Sequence, residues 1–279
     1  MMIWPTLVTL YINSQLSHNG SIMSDTKVVI LAAGKGKRMQ SEVPKPLVKI
    51  AGKPMIEYLV ARVEEAGIDT RPIVVVAPDT LELFQRALGE RADYVLQTEQ
   101  LGTGHALKVA REACGDAKNL LVLYGDHPFI PALVMRKLTQ LARQHDRALV
   151  MLTAKVPNFE GDYQGFKAWG RILRDHDGQV TALREFKDAT PEEREITELN
   201  PAIYVLPAPW VWENLASLTN KNAGGEYYLT DLVERACLQG LTIASQTVEA
   251  LEVMGINTPA ELRLAENMLT QAPDLTKSQ

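Results

Sequence analysis

Four basic side chains lie close together in one short stretch of the chain, at Lys35, Lys37, Arg38 and Lys45. They follow an apolar segment and surround the small-residue turn Ala-Ala-Gly-Lys-Gly at 32–36. Glycine lets the backbone approach a ligand closely, and consecutive backbone N–H groups in such a turn form an anion-binding concavity. The stretch therefore predicts a binding site for a polyphosphate.

Two common phosphate-binding fingerprints do not describe this stretch. It lacks the Gly-Lys-Ser/Thr ending of a P-loop, and the region of Arg38 replaces the third glycine of the dinucleotide-binding motif. Lys45 stands between Pro44 and Pro46, which restrict the backbone on either side of it. This constraint favours a role in binding phosphate over that of an ordinary solvated lysine.

Asp126 is the candidate metal ligand, because it follows Gly125 at the end of the apolar segment 119–123. Magnesium prefers one or two protein oxygens, with water and substrate phosphates completing its shell. The alternative is a turn residue, or a cap for a helix that begins near Pro131. The neighbouring His127 could be a ligand or a base, but a packed side chain in a tight His-Pro turn is the favoured interpretation.

A third candidate site is the segment Gln-Thr-Glu-Gln-Leu-Gly-Thr-Gly-His at 97–105. Side-chain amides such as those of Gln97 and Gln100 can pair with the edge of a base, and glycines permit close backbone approach. The same residues also suit the start of a helix capped by Thr103, and both interpretations can hold together.

These candidates must be positioned by alternating strands and helices. The strands are predicted at 28–31, 72–76, 94–96, 119–123 and 148–154, and the helices at 54–66, 79–88, 104–114 and 131–144. Such alternation predicts an α/β fold with a parallel sheet covered on both faces. Ligands of such sheets bind beyond the carboxyl ends of the strands, which brings the three candidate sites together.

The pattern changes after about residue 155, where the connections become more polar. Strands are predicted there at 169–174, 180–185 and 202–206, and helices at 229–238 and 259–269. This half predicts a mixed subdomain that closes one side of the sheet.

Composition limits the classes of function. The 279 residues carry a net charge of −5, so a general nucleic-acid-binding surface is not expected. Cys114 and Cys237 lie far apart without metal-binding spacing, which favours reduced thiols and a cytoplasmic protein. The apolar stretch within residues 1–22 contains Pro5, is too short to span a bilayer and lacks preceding basic residues. We therefore expect 1–22 to be an extension, Met23 to be the natural start, and no membrane attachment.

Seven motifs occur in order between about Lys27 and Glu266: LAAGKGKRM…PKPL, QTEQLGTGHA, YGDHPFI, WGRI, REFKDAT, GEYYLTD and GIN. Together they resemble the uridylyltransferase domain of the bacterial bifunctional N-acetylglucosamine-1-phosphate uridylyltransferase / glucosamine-1-phosphate acetyltransferase family. The first motif is shared by many nucleotidyltransferases, whereas QTEQLGTGHA together with GEYYLTD is much more specific.

The resemblance implies a fold and a domain organisation. The fold would be that of the nucleotide-diphospho-sugar transferases, a Rossmann-like, mixed but mostly parallel sheet with helices on both faces and a small sugar-binding α+β subdomain. The domain would cover 23–272, with a nucleotide-binding half at 23–155, a sugar-binding half and C-terminal helix at 156–272, and a tail at 273–279.

It also implies a role for each motif. Arg38 and Lys45 would contact the phosphates as catalytic residues, and Asp126 and Asn257 would hold Mg²⁺ as the cofactor. Tyr124 would line the site. Nucleotide and uracil contacts would come from Leu31, Ala32, Ala33, Gly34, Gln97, Gln100, Gly102 and Thr103, and sugar contacts from Gly170, Glu185 and Asn200.

The chain departs from the family pattern in several places. Asn200-Pro201-Ala202 stands where family members usually have Asn-Thr-Gly, and His127 stands where they usually have valine. Pro201 removes a backbone N–H, and Ala202 enters positive φ less readily than glycine, so we expect another loop shape and leave the sugar open. The sequence has no hexapeptide repeat of a left-handed β-helix, so acetyltransferase activity and the associated trimerisation are not expected.

The expected reaction joins UTP to N-acetylglucosamine 1-phosphate, forms UDP-N-acetylglucosamine and releases pyrophosphate. The attacking phosphate oxygen is already an anion, so positioning and charge neutralisation rather than a general base would carry catalysis. The alternatives are the same chemistry with another sugar 1-phosphate or nucleotide, and a catalytically silent regulatory domain of the same fold. The presence of Arg38, Lys45 and Asp126 counts against the silent domain. The oligomeric state stays open.

Overall fold

The computed structural model describes residues 25–271, except residues 35, 40, 146, 147 and 223. The predicted extension at 1–22, the predicted start at Met23 and the predicted tail at 273–279 lie outside the described residues. No helix in the described part of the chain is long and apolar enough to cross a membrane.

Short apolar segments form the strands, and longer segments with one apolar face form most of the helices. The strands are β1 (Thr26–Leu31), β2 (Lys49–Ile50), β3 (Lys53–Pro54), β4 (Ile73–Val76), β5 (Asp93–Leu96), β6 (Asn119–Tyr124), β7 (Leu149–Lys155), β8 (Gly170–Arg174), β9 (Val180–Arg184), β10 (Glu198–Asn200), β11 (Tyr204–Pro207) and β12 (Ile243–Glu249). The helices are α1 (Met55–Ala66), α2 (Leu81–Leu88), α3 (Thr103–Val109), α4 (Ala132–Gln144), α5 (Pro191–Arg194), α6 (Ala208–Leu215), α7 (Asp231–Leu238) and α8 (Pro259–Gln271).

Ten of the described strands form one mixed sheet in the order β5-β4-β1-β6-β11-β7-β10-β8-β9, with β12 beside β7. The pairs among β5, β4, β1 and β6 are parallel, whereas β11 is inserted antiparallel between β6 and β7. The predicted mixed, mostly parallel α/β sheet is confirmed. Strands from both sides of residue 155 belong to it.

The central strands are apolar on both faces because the sheet is covered on both sides. Ile30 and Val74 belong to one buried cluster, and Val29 and Ile73 belong to the other, each with 0% of its surface exposed. Such continuous burial is typical of parallel strands in α/β proteins. It leaves the carboxyl ends of these strands as the place where polar groups can meet.

Some elements cannot be predicted from sequence periodicity. The hairpin strands β2 and β3 and the three-residue β10 are too short to show a period, and β12 carries polar residues but forms by parallel pairing with β7 along its whole length. Most predicted boundaries differ from the structure by one or two residues, and two of the errors are of structural interest. The helix predicted at 104–114 ends at Val109, and the strand predicted at 202–206 begins at Tyr204, because Ala202 has a left-handed φ of 61°.

Arg171 on β8 is fully buried, with 0% of its surface exposed. Its guanidinium donates hydrogen bonds to the carbonyl oxygens of Lys167 (3.1 Å), Trp169 and Arg194 (3.0 and 3.2 Å). The same group lies 4.8 Å from the ring centroid of Phe159 and 5.2 Å from that of Phe186. Arg171 therefore joins the segment before β8 to the segment around α5.

Replacing Arg171 with methionine is expected to lower the free energy of unfolding by about 2–4 kcal/mol, because three partly buried carbonyls lose their donor and each such hydrogen bond contributes about 1 kcal/mol. Urea unfolding followed by circular dichroism measures this difference. Arg143→Met on the exposed face of α4 is the control and should change stability by less than about 0.5 kcal/mol. Equal effects of the two substitutions would contradict the structural role of Arg171.

Candidate active site

A cavity of about 510 Å³ opens beyond the carboxyl ends of β1 and β6. This volume is in the range of small-molecule binding sites. Predicted nucleotide, phosphate and metal residues from separate parts of the chain line it: Leu31, Ala32, Ala33, Gly34, Lys45, Gln97, Gln100, Gly102, Thr103, Tyr124 and Asp126. The three candidate sites found in the sequence are thus parts of one cavity.

The turn after β1 approaches the segment of Lys45 closely. Gly36 has a φ of 55°, and a Cβ added there would lie 2.8 Å from the Cβ of Lys45. A side chain at position 36 would therefore push Lys45 away from the cavity. Lys45 itself begins a short 3₁₀ helix, Lys45–Leu47, whose Pro46 and Leu47 are buried, so the position of its backbone is fixed by packing.

The ammonium of Lys45 contacts both predicted metal ligands. It pairs with the carboxylate of Asp126 and donates a hydrogen bond of 2.9 Å to the side-chain oxygen of Asn257. Arg38 also donates to the Asn257 oxygen, at 2.9 Å, so this exposed guanidinium shares an acceptor with Lys45, although neither Arg38 nor Asn257 lines the cavity. The structure thus brings Arg38 and Lys45 together with Asp126 and Asn257, which lie far from them in the sequence.

The Asp126 carboxyl group is held in its ionised form. Burial acts to raise its pKa, but the charge and hydrogen bond of Lys45 and the proximity of His127 bring the pKa below its usual value. The oxygens of Asp126 and Asn257 converge on one cation, the Lys45 ammonium. One carboxylate and one amide oxygen directed at the same point fit a magnesium ion whose other ligands are water and phosphate. The described residues contain no cluster of three or more His, Cys, Asp or Glu side chains suited to a metal ion.

Asn257 is held from its backbone side as well. The carboxylate of Glu261 accepts hydrogen bonds from the backbone N–H groups of Asn257 (2.7 Å) and Thr258 (2.9 Å). The Thr258 hydroxyl in turn accepts from the N–H of Glu261 at 3.3 Å. This reciprocal pattern is a capping box in which Thr258 caps α8, and it fixes the backbone of the preceding residue, Asn257.

The glutamines at the base side of the cavity differ in how their side chains are satisfied. The amide nitrogen of Gln97 donates to the carbonyl of Gly102 at 3.1 Å and lies 3.1 Å from a ring nitrogen of His105. The side-chain oxygen of Gln100 is buried and has no hydrogen-bond partner among the described residues. A buried acceptor without a donor is unfavourable, so this oxygen is suited to a donor on a ligand.

The two most specific motifs pack as one unit beside these glutamines. Tyr227 donates its N–H to Leu101 (2.8 Å) and accepts from Gly104 (2.8 Å), while Leu229 donates its N–H to the Thr103 hydroxyl (2.9 Å). The alternative that Thr103 caps the helix is wrong. Helix α3 already includes Thr103, and its preceding residue Gly102 makes no side-chain cap. Thr103 instead joins the α3 end of the cavity to the GEYYLTD segment.

Glu226 in this segment also lines the cavity, although it is not among the site residues predicted from the sequence. Glu226 packs directly against Gly102, where an added Cβ would lie 2.8 Å from the Cβ of Glu226 and 2.7 Å from the carbonyl oxygen of Tyr227. A signal was available in the sequence, since Glu226 is part of the specific motif GEYYLTD.

The predicted sugar contacts are grouped on the other side of Tyr124 and do not line the cavity itself. Asn200 and Gly170 face each other across β10 and β8. The buried Asn200 side chain shares hydrogen bonds with the Tyr204 hydroxyl at 2.8–3.0 Å. Burial raises the pKa of Glu185, and this carboxylate interacts electrostatically with Tyr124. Asn200 is thus linked to Tyr204 by hydrogen bonds, Gly170 to Asn200 by strand pairing, and Glu185 to the cavity residue Tyr124 by an electrostatic interaction.

Ala202 takes a left-handed conformation in this loop, with φ of 61°. Its N–H donates to the side-chain oxygen of Asn200 at 3.0 Å, which closes a local turn. Alanine thus adopts the backbone region that glycine enters without strain.

Ala202→Gly is therefore expected to raise the free energy of unfolding by about 1 kcal/mol, because the left-handed region costs an alanine about 1–2 kcal/mol. Thermal melting and urea unfolding measure the change. The same substitution at Ala142, inside helix α4, should instead lower stability by about 1 kcal/mol. Loss of stability in both variants would contradict strain at Ala202.

Comparisons with known proteins agree with this site. The profile described as MobA-like NTP transferase domain matches residues 28–234. Relatives named "Bifunctional protein GlmU" include one from Caldicellulosiruptor saccharolyticus, 40% identical over 86% of this chain and 51% of that protein. Another, from Syntrophomonas wolfei, is 41% identical over 87% of this chain and 53% of that protein.

A third relative, from Clostridioides difficile, is 37% identical over 87% of this chain and 51% of that protein. The chain thus spans about half the length of the curated relatives that it matches. These matches confirm the resemblance inferred from the motifs. From its matched profile and its cavity, the chain belongs to the MobA-like NTP transferase domain family and is a nucleotidyltransferase of the GlmU type.

Proposed function

We propose that the protein transfers a uridylyl group from UTP to N-acetylglucosamine 1-phosphate, forming UDP-N-acetylglucosamine and pyrophosphate with Mg²⁺ as cofactor. The observation that carries the proposal is the single cavity that joins the turn at 31–34, the amides at 97–100 and the Lys45–Asp126 pair. A phosphate-binding turn, a base-recognising amide pair and an ion-binding carboxylate are the parts that such a reaction needs.

The side chain of Gln100 supports binding of a base in this cavity. Its buried oxygen lacks a donor among the described residues, and the imino N–H of a uracil ring is a suitable donor. The amino group of cytosine could donate to the same oxygen, so the choice of uridine rests on the resemblance of the QTEQLGTGHA segment to uridylyltransferases. Gly102 has a φ of 111° and packs against Glu226 and Tyr227, so a side chain at this position would displace the segment that lines the cavity beside Gln100.

In the proposed reaction an oxygen of the sugar phosphate attacks the α-phosphorus of UTP. The new oxygen–phosphorus bond forms as the bond to the departing pyrophosphate breaks, and no proton has to be removed from the nucleophile. His127, which is buried beside Asp126, need not act as a base, since its Nδ1 is engaged with the carbonyl of Val253 at 2.9 Å. Burial lowers the pKa of His127 below its usual value.

The chain's own residues supply charge and orientation. Lys45 reduces repulsion between two anionic substrates, and Arg38 binds the pyrophosphate group with its planar guanidinium. Asp126 and Asn257 would hold the divalent ion. When bound, that ion neutralises phosphate charge and orients the two substrates for in-line attack.

A second candidate is the same chemistry with a different sugar 1-phosphate. Pro201 and the left-handed Ala202 support it, because they alter the loop that carries Asn200 beside Gly170.

The reduced thiols inferred for Cys114 and Cys237 agree with the cytoplasmic location we propose, since both are free in the structure.

Release of pyrophosphate, measured across a panel of sugar 1-phosphates and nucleoside triphosphates with Mg²⁺, tests the proposal. We expect the highest kcat/KM with UTP and N-acetylglucosamine 1-phosphate. A higher value with another sugar would select the second candidate. Absence of turnover with every pair would refute the reaction and favour a silent domain of the same fold.

A further inference from the structure

The two predicted metal ligands are connected by a side chain that is not itself a ligand. His127 follows Asp126 directly and is 7% exposed. Its Nδ1 lies 2.9 Å from the carbonyl oxygen of Val253, 126 residues away in the sequence. A carbonyl oxygen can only accept, so Nδ1 carries the ring proton and donates it to this hydrogen bond.

A second hydrogen bond strengthens the same connection. The backbone N–H of Ile256 donates to the carbonyl oxygen of Asp126 at 2.8 Å. The segment from Val253 to Ile256 is thus bound at two points to the pair Asp126–His127. The next residue is Asn257, whose side-chain oxygen faces the same ammonium as the Asp126 carboxylate.

The imidazole fills its space closely. A Cβ added at Gly255 would lie 2.7 Å from the Nε2 of His127. The ring centroids of Trp169 and Tyr124 are 6.0 and 6.2 Å from that of His127. The ring is therefore confined on several sides, and its size sets how near the segment of Gly255 comes to Asp126.

We propose that His127 is a positioning residue that sets the separation between the ion-binding oxygens of Asp126 and Asn257. The inference rests on the metal role that the proposed function gives to these two residues. It differs from a ligand or a base role, because the ring donates to a backbone carbonyl and its Nε2 is 3.9 Å from the nearer Asp126 oxygen. Groups that orient metal ligands from outside the coordination shell typically change metal affinity by about 10–100-fold when replaced.

Two replacements of similar size separate the hydrogen bond from simple filling of space. His127→Val removes the donor, whereas His127→Asn keeps an N–H group near the position of Nδ1. Binding of Mn²⁺ alone to each purified protein is measured by electron paramagnetic resonance of the free ion. We expect His127→Val to weaken Mn²⁺ binding by about tenfold or more, and His127→Asn to retain most of the affinity.

A third variant tests the contact from the other side. Gly255→Ala should weaken Mn²⁺ binding in the wild-type background, because the new methyl group meets Nε2. It should have little further effect in the His127→Asn background, where the Nε2 atom is absent. Amide exchange at Ile256 gives an independent measure and should be faster in His127→Val than in His127→Asn, since the hydrogen bond to Asp126 would be less protected.

Leu232→Ala, in the other buried cluster and 1% exposed, is the control for a general loss of stability. It should lower the melting temperature without changing Mn²⁺ affinity. The proposal is overturned if His127→Val and His127→Asn bind Mn²⁺ equally, or if Leu232→Ala weakens binding as much as His127→Val. Pyrophosphate release by the wild-type protein is measured separately, because its absence counts against the proposed reaction and not against the role of His127 in ion binding.

Discussion

Replacing Asp126 with asparagine is expected to lower kcat for pyrophosphate release by about a thousandfold, equivalent to about 4 kcal/mol of transition-state stabilisation. The substitution keeps the shape of the side chain but removes the charge that faces Lys45 and the predicted ion. Binding of the base should change little, since Gln97 and Gln100 lie on the other wall of the cavity. The measurement is steady-state kinetics at saturating Mg²⁺ and both substrates.

Asp79→Asn is a matched control, because Asp79 is an exposed aspartate that follows β4 outside the cavity. Its kcat should equal that of the wild-type protein. The circular dichroism spectrum of Asp126→Asn should match the wild-type spectrum, which shows that the fold is retained. Asp126→Asn with more than about a tenth of wild-type turnover would refute the assignment of Asp126 to the ion.

Lys45→Met should change activity and ion binding in opposite directions. We expect kcat to fall by about a hundredfold to a thousandfold, because the charge that offsets repulsion between the substrates is lost. Binding of Mn²⁺ without nucleotide should become at least about tenfold tighter, because a unit charge at contact distance contributes more than about 1 kcal/mol. That charge is the ammonium that now contacts both Asp126 and Asn257.

Lys108→Met on the exposed surface of α3 provides the comparison, since it removes the same charge from the protein without touching the cavity. Neither kcat nor Mn²⁺ affinity should change in it. If Lys45→Met binds Mn²⁺ less tightly than the wild-type protein, the ammonium does not compete with the ion. Asp126 and Asn257 would then not form the ion-binding site proposed for them.

The nucleotide side of the cavity is largely predictable from the sequence. The segments at 31–34 and 97–103 and the residue Asp126 each follow a strand of the parallel part of the sheet. Parallel strands end at one edge, so their topology alone brings these residues together. Lys45 was also predictable, because Pro44 and Pro46 limit its backbone.

The position of Asn257 and the contacts that hold it cannot be predicted from the ends of strands. Asn257 follows no strand, and only the family resemblance points to it. Its position depends on Glu261, which caps α8, and on His127, whose partner Val253 is 126 residues away. The packed state favoured for His127 is confirmed by its 7% exposure, but a contact of such sequence separation leaves no periodic or local signal.

The sugar side is predicted least well because backbone irregularity shapes it. The strand expected at 202–206 is split from β10 by residues 201–203, and β10 itself is too short to detect. The fully buried Arg171 shows the same limit. The presence of an arginine in a short strand does not predict its three carbonyl partners. These partners are supplied by the segments at 167–169 and 194, which approach Arg171 only in the folded protein.

The interruption between β10 and β11 restricts how this region can change in length. Both strands pair with β7, where Leu199 faces Ala154 and Tyr204 faces Met151. More residues therefore separate Leu199 from Tyr204 than separate their two partners on β7. Residues 201–203 are thus a bulge between two fixed pairings, and removal of a single residue with the β10 pairing kept would shift β11 by one position and turn each of its side chains to the opposite face. Substitutions at Pro201 and Ala202 keep the register of β11, whereas insertions and deletions are tolerated only in turns between strands, such as 175–179.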